Sequence, residues 1–276
     1  MTRLQPPYAT AVVIMVGFVL VPAIAVAQTK PFEPVPGQAG KDVVWVPTPP
    51  ELVATMLDMA QVTASDFVMD LGSGDGRNVI AAAERGARAV GVEYNPEMVA
   101  LSRRNAEKAG VADRATFIEG DMFTADVSKA TVLALFLLPS NLNKLKDTFL
   151  ALRPGTRIVL NTFGVEGWEA DATETVQGNC DSWCTALLVI VPAKVGGAWQ
   201  MSDGDLVLEQ AFQKVTGTLT TRDGAAMLAG GRLRGEAIEF MANGTRYTGR
   251  VQGDRMEGTA VTASGATQAW RAQRRQ

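Results

Sequence analysis

The chain has 276 residues, 47% of them apolar and 20% charged, with a net charge of −3; this excludes a disordered chain and a general nucleic-acid binder, and suits one large or two smaller domains. It contains no histidine, which removes Ser-His-Asp hydrolysis, Cys-His nucleophiles and histidine-ligated zinc or iron. Charge is uneven, with 14 Lys and Arg against 21 Asp and Glu in residues 28–192 but 11 against 8 in residues 193–276, as expected of two modules.

Residues 1–27 read as a secretory signal: Arg3 is the positive start, residues 12–21 the apolar core, and Ala25-Val26-Ala27 a small-residue cleavage site. The core falls short of the roughly twenty apolar residues a spanning helix needs. The expectation is an exported protein, periplasmic or extracellular, with no stable membrane insertion after cleavage; an uncleaved anchor is the alternative. Residues 28–42 carry proline and glycine and read as a linker. Pro47, Pro49 and Pro50 forbid a helix before Glu51, while Leu52, Val53, Met56, Leu57 and Ala60 give a helical apolar face. That helix should cover the sheet edge of a site. Thr48 or Glu51 would meet a ligand there, or simply cap the helix.

The chemistry begins at residues 67–81. A short apolar run, Phe67-Val68-Met69, leads into Asp70; Gly72, Gly74 and Gly76 alternate with Ser73 and Asp75; and a helix starts at Arg77. Strand, glycine turn and helix N-terminus make an anion- and backbone-lined cradle, with glycine where φ must be positive and a ligand must come close. A dinucleotide loop would read G-x-G-x-x-G, but here the third glycine position is Arg77 and the run is G-x-G-x-G. With Asp70 ahead of it, the run resembles motif I of the class I S-adenosylmethionine-dependent methyltransferases. A glycine turn that binds nothing is the plainer alternative. Residues 87–92 form the next strand and Glu93 ends it, where an acid can accept both hydroxyls of a ribose.

Asn95-Pro96 opens a helix through Glu107, and residues 115–118 form a third strand followed by Glu119-Gly120-Asp121-Met122. The resemblance implies that Asp121 reaches the adenine amino group and that Met122 packs on the ring; a turn aspartate is the alternative. Residues 131–138 are an unbroken apolar run suited to a central parallel strand. It ends in Pro139-Ser140-Asn141, at the strand tip where ligands of parallel sheets lie. Many N-methyltransferases carry (Asp/Asn)-Pro-Pro-aromatic here, so Leu-Pro-Ser-Asn disfavours methylation of nucleic-acid adenine or of glutamine. A helix over residues 142–152 and a fifth strand over 157–163 follow.

Taken together, W-V-P-T-P-P, D-L-G-S-G-D-G-R, G-V-E-Y-N-P, L-L-P-S-N, L-R-P-G-T-R-I-V and Phe163 with Trp168 are similar to one methyltransferase group over residues 43–171. That group holds the archaeal broad-specificity protein-lysine methyltransferases and the mitochondrial enzyme acting on the ATP synthase c-subunit. Bacterial relatives often carry a His-Asp pair just before the phenylalanine; this chain has Asn161-Thr162. The resemblance implies S-adenosylmethionine as cofactor, held by Asp70, Gly72, Ser73, Gly74, Asp75, Gly76, Glu93, Asp121 and Met122. It implies methyl transfer to an amine such as a protein lysine, with no nucleic-acid partner. Candidates for the acceptor side are Pro139, Asn141, Phe163 and Trp168; the two aromatic residues would wall the developing cation or else belong to the core. The rival reading is an exported binding or scaffold protein that keeps the fold without the catalysis.

Cys180 and Cys184 are the only cysteines. Two thiols without histidine make a poor zinc site, and in an exported chain a disulfide closing a small loop is expected, with a turn to bring the Cα atoms together. Residues 186–191 should finish the first sheet. Beyond Gly196, Asp203-Gly204, Asp223-Gly224, Asn243-Gly244, Gly253-Asp254 and Ser264-Gly265 separate short strands, as tight hairpins require. The expected fold is therefore α/β, a Rossmann-like methyltransferase sheet over residues 43–192, followed by an antiparallel β-meander or small barrel over 193–276. A docking role and a stabilising role for the second part both remain open.

Overall fold

Pro50 fixes the backbone at the first helical position, where its missing N–H is no loss, and so opens helix α1 (Pro50–Met59). The computed structural model describes residues 1–3, 32–178 and 180–275, so most of the expected signal segment lies outside the described residues. Among the described residues no helix is long and apolar enough to cross a membrane. After α1 come β1 (Phe67–Leu71), α2 (Arg77–Glu84), β2 (Arg88–Glu93), α3 (Pro96–Lys108), β3 (Ala115–Glu119), β4 (Val132–Leu135), α4 (Pro139–Lys144), α5 (Lys146–Leu150), β5 (Arg157–Asn161), β6 (Ala172–Thr175) and β7 (Thr185–Ile190).

These strands form one sheet in the order β3-β2-β1-β4-β5-β7-β6. β3, β2, β1, β4 and β5 pair in parallel, and β7 and β6 add antiparallel. The chain order reverses between β1 and β4, the switch point beside which open α/β sheets bind ligands. Leu52, Val53, Met56 and Leu57 of α1 share a buried cluster with Val79, Ala82 and Val99 of α2 and α3 and with Val132, Val159 and Leu188 of the sheet. On the other side Leu142, Leu145 and Phe149 pack on Leu71, Leu133, Leu135 and Leu160. The expected edge position of α1 is thus corrected: it lies against β5, β7 and α2, because its four apolar residues need a broad apolar surface to cover them. The apolar run 131–138 is also shorter as a strand than expected. Only Val132–Leu135 pair with β5, and residues 136–138 leave the sheet to face the cleft.

The remaining strands are β8 (Gly197–Met201), β9 (Gly204–Ala211), β10 (Lys214–Thr221), β11 (Gly224–Met227), β12 (Ala229–Arg234), β13 (Ala237–Ala242), β14 (Thr245–Gln252), β15 (Arg255–Val261) and β16 (Thr267–Arg274). Neighbours pair antiparallel in the order β11-β10-β12-β13-β14-β15-β16-β8-β9, and β9 pairs back onto β10, which closes the ring into a barrel. Asn243 and Gly244 both take positive φ (48° and 69°), the two-residue turn that matches strand twist. Inside, Phe240 stacks on its cross-strand partner Tyr247 at 4.7 Å, and Trp270 meets both edge-on at 5.9 Å.

The barrel and the first sheet meet through specific groups. Trp168 stacks on Phe212 at 5.2 Å, and Gln213 donates to the Glu169 carbonyl at 2.7 Å. The Asp171 carboxylate, its side chain 1% exposed, accepts from Arg232 at 3.0 Å and from the Ile190 N–H at 2.8 Å. Removing it leaves a buried N–H and a guanidinium without their acceptor. Asp171→Ala should therefore cost about 2–3 kcal/mol, and Arg232→Ala, which leaves the buried carboxylate without its charge partner, should cost at least about 2 kcal/mol. Thermal and denaturant unfolding measure both, and a loss under about 1 kcal/mol in either variant would contradict this account.

Candidate functional site

Gly72, Gly74 and Gly76 all have positive φ (74°, 55° and 85°), so the chain turns sharply between β1 and α2. A Cβ on Gly76 would lie 2.7 Å from the Phe117 ring and 2.9 Å from Ser102, so this position is closed to every other residue. The loop is anchored from outside: Gly72 and Ser73 N–H donate to the Val92 carbonyl at 2.8 and 3.1 Å, and Ser102 and Asn105 donate to the Gly74 and Asp75 carbonyls at 2.9 Å each.

Glu93, at the tip of β2, ties the loop to the next turn. One carboxylate oxygen accepts the Gly74 N–H and the other the Asn95 N–H, both at 2.9 Å. Each oxygen keeps a lone pair for a further donor. Asp70 is 3% exposed and receives only the Asn78 amide, at 3.1 Å, among the described residues. Burial pushes its carboxyl well above the ordinary carboxylate range, and the nearby Glu93 and Asp75 charges push the same way against the Asn78 hydrogen bond. Asp75 is paired with Arg77 at 2.6 Å, and Arg77 also donates to the Thr48 carbonyl at 2.5 Å.

Asp121, at the tip of β3, accepts from the Phe123 N–H at 2.9 Å and from Lys41 at 2.7 Å. The Lys41 hydrogen bond is the main reason that its carboxyl sits below the ordinary range, and Asp121 in turn raises the Lys41 ammonium. Lys41 belongs to a hairpin, residues 37–45. There the Gly37 N–H donates to the Trp45 carbonyl, the Trp45 N–H donates to the Gln38 carbonyl, and Ala39 bridges Val44. The expected linker at residues 28–42 is thus corrected for its described part: residues 37–42 belong to the roof of the site. Lys41 lies 4.9 Å from the centre of the Tyr94 ring, and the Trp45 indole nitrogen lies 2.8 Å from where a Gly74 Cβ would stand.

Between roof and sheet lies a cavity of about 210 Å³, lined by Asp70, Gly72, Ser73, Gly74, Asp75, Glu93, Asp121 and Met122 on the side of β1 to β3 and by Phe136, Leu137, Leu138, Phe163 and Trp183 opposite. It is smaller than the roughly 300–1,000 Å³ of most small-ligand sites, and Lys41 and Trp45 of the roof line it too. Gly76 supports the loop from behind. Of the acceptor-side candidates only Phe163 lines the cavity. Pro139 is exposed as the first residue of α4. Asn141 is buried and donates to the Asp42 carbonyl at 3.3 Å, holding the hairpin tip. Trp168 is claimed by the barrel's Phe212. Thr48 lines the cavity and receives the Asn161 amide at 3.3 Å, whereas Glu51 is exposed and α1 has no side-chain cap.

The sequence reading missed Lys41, Trp45, Asn78, Phe136 and Trp183. Trp183 carried a usable signal, as a tryptophan set among polar residues between the two cysteines; Trp45 did not, because its valine neighbours read as an ordinary apolar run. Cys180 and Cys184 are bonded, with Cα atoms 5.8 Å apart, and Trp183 between them has φ 55°.

The residues present fit S-adenosylmethionine. The ligand carries a cationic sulfonium and an ammonium, and the cavity offers a buried, under-paired carboxylate at Asp70, free lone pairs on Glu93 and a loop whose Gly72 and Gly74 leave its backbone open to close approach. The ANTKMT methyltransferase domain family matches residues 70–172. A protein-lysine N-methyltransferase of Saccharolobus islandicus is 45% identical over 130 residues, covering 46% of this chain and 80% of that protein. The mouse adenine nucleotide translocase lysine N-methyltransferase is 38% identical over 104 residues, 37% of this chain and 45% of that protein. The crystal structure described as an RNA methyltransferase from Salinibacter ruber in complex with S-adenosyl-L-homocysteine is 44% identical, with a TM-score of 0.51 over 54% of this chain and 96% of that one. Fold and site define a class I methyltransferase that uses S-adenosylmethionine. The chain belongs to the group of that class which contains the archaeal protein-lysine N-methyltransferase, although it spans well under two thirds of the mouse enzyme's length. The scaffold alternative finds no support.

Asp70 yields a prediction with a definite sign. A carboxyl whose folded pKa is raised contributes fully below the ordinary value of 3.8 and loses that contribution as pH rises toward the folded value. Asp70→Asn should therefore stabilise the ligand-free protein at neutral pH by on the order of 1 kcal/mol and flatten its stability above pH 4. The same change should weaken S-adenosylmethionine binding roughly tenfold. Unfolding against pH and calorimetry check the pair; a less stable variant, or one with unchanged affinity, would contradict it.

Proposed function

We propose that this methyltransferase modifies the ε-amine of lysine in a protein outside the cytoplasm. The observation that carries the acceptor assignment is the far wall of the cavity, where Phe136, Leu137, Leu138 and Phe163 face the glycine loop. An amine arriving there is drawn out of water, which favours its neutral, nucleophilic form, and ring faces attract the cation that forms on transfer. The names of the relatives agree with a lysine acceptor, and the acid excess of residues 28–192 suits a basic partner.

Bound S-adenosylmethionine supplies an electrophilic methyl on a sulfonium, so no side chain has to activate the donor. The chain's own task is placement. Glu93 and the glycine loop fix the nucleoside end, Asp70 balances positive charge within the cleft, and the hairpin roof with Trp45 keeps water out. Phe136 and Phe163 leave the incoming nitrogen one dry approach. The acceptor's proton passes to solvent, since the aromatic wall offers no base.

A second reading is methylation of RNA, the substrate named for the Salinibacter ruber protein. The excess of 21 acidic over 14 basic residues in positions 28–192 opposes a polyphosphate backbone. Export is supported by the signal-like N-terminus and by a disulfide, which persists in oxidising compartments.

The test is methyl transfer from labelled S-adenosylmethionine to envelope proteins and to total RNA from cells lacking this gene. Label on protein, mapped to lysine by mass spectrometry and absent with Glu93→Ala, is expected; label on RNA alone would overturn the proposal. Purified protein from an exporting host should begin at Gln28.

A further inference from the structure

The disulfide loop is an unexplained feature of the first sheet. It joins β6 to β7, far in sequence from the glycine loop, yet its Trp183 lines the same cavity. Trp183 is 43% exposed; a lone exposed ring is ordinary, but this one also lines the cavity. Its φ of 55° is a conformation that non-glycine residues seldom adopt and that persists only where the surroundings enforce it. Here the enforcement is covalent: Cys184 follows Trp183 directly and is bonded back to Cys180. The loop is also tied down beside the acceptor wall. Val176 N–H donates to the Cys184 carbonyl at 2.9 Å, and Thr162 N–H donates to the Thr185 carbonyl at 2.7 Å. Thr162, which precedes Phe163 in the chain, also has positive φ (59°).

The rings are arranged in series. Phe163 stacks on Phe136 at 6.3 Å with an 18° interplanar angle, and Phe136 meets Trp183 at 6.1 Å and 56°. Phe136 and Phe163 sit at the strand tips, and Trp183 forms the outer end, partly in solvent. Three aromatic rings in series along the cavity wall, from the half-exposed Trp183 through Phe136 to Phe163, match a chain of methylenes that ends in a cation.

We propose that Trp183 is a substrate-contacting residue, the outer wall of an aromatic sleeve for the acceptor lysine, and that the Cys180–Cys184 disulfide is its positioning device. This rests on the lysine reading above and adds to it the residue that admits the side chain. The sleeve recognises a lysine stem rather than a particular protein.

The experiment uses the full chain and a capped peptide with one lysine among glycines, with an arginine-for-lysine peptide as control. Trp183→Ala should raise KM for the lysine peptide roughly tenfold, leave kcat and S-adenosylhomocysteine affinity within about twofold, and be largely rescued by Trp183→Phe. A Cys180→Ser/Cys184→Ser variant should raise KM similarly, and Trp183→Ala added to it should raise KM little further. In parallel, the lysine peptide is titrated into the S-adenosylhomocysteine-loaded protein while tryptophan fluorescence is followed; the change should vanish in Trp183→Phe. Methyl transfer with an unchanged KM in Trp183→Ala overturns the inference and leaves the lysine assignment standing. A Trp183-dependent fluorescence change without transfer supports the sleeve and overturns the assignment. Neither signal overturns both, and a fall in S-adenosylhomocysteine affinity in Trp183→Ala would place the residue on the cofactor instead.

Discussion

One carboxylate organises the site. Glu93 bridges the glycine loop and the β2–α3 turn by accepting the amides of Gly74 and Asn95, and so fixes two separate turns against each other at the ends of β1 and β2, beside the sheet's switch point. Charge-assisted hydrogen bonds of this kind are roughly twice as strong as neutral ones, and both donors would otherwise be left without a partner. The strands behind them contribute the rest. β1 delivers Asp70 into a dry position, β3 delivers Asp121, and β4 and β5 end early enough for Phe136 and Phe163 to turn inward. Chemistry and architecture therefore share a cause, since a parallel sheet brings all its strand ends to one edge.

Much of that edge was legible in the chain. Three alternating glycines after an acid and an acid ending the next strand have few other physical uses, and the structure brings Asp70, Gly72, Gly74 and Glu93 to one cavity with Gly76 behind it. The limits of the reading are equally physical. An apolar run such as residues 131–138 shows that it is buried but not where its pairing stops, because Phe136 and Leu137 are as apolar in a cavity wall as in a strand. Residues 37–42 have the composition of a linker, and their order comes from distant partners, Lys41 with Asp121 and the Asp42 carbonyl with Asn141. Trp168 was equally consistent with core and with acceptor wall; Phe212, more than forty residues further on, decides the matter. The turn pairs of the second half announce hairpins, but closure of the ring depends on the β9–β10 register, which no local pattern encodes.

Two additions distinguish this chain's site from a bare methyltransferase sheet. A hairpin roofs the cavity and is latched to Asp121 through Lys41. A disulfide loop overhangs the acceptor side. The barrel holds Trp168, Glu169 and Asp171 just past β5, in the segment that follows Phe163. Its interior is packed with Phe240, Tyr247 and Trp270.

The central claim is that the glycine loop and Glu93 form a socket for an adenosyl ligand. It is tested most directly by calorimetric titration of the purified protein with S-adenosylhomocysteine, alongside Gly74→Val, whose side chain would meet the Trp45 indole in the roof. The account predicts one-to-one binding by the wild type and its loss in the variant, with cooperative unfolding retained in both. No binding by the folded wild type, or equal binding by the two proteins, would contradict it.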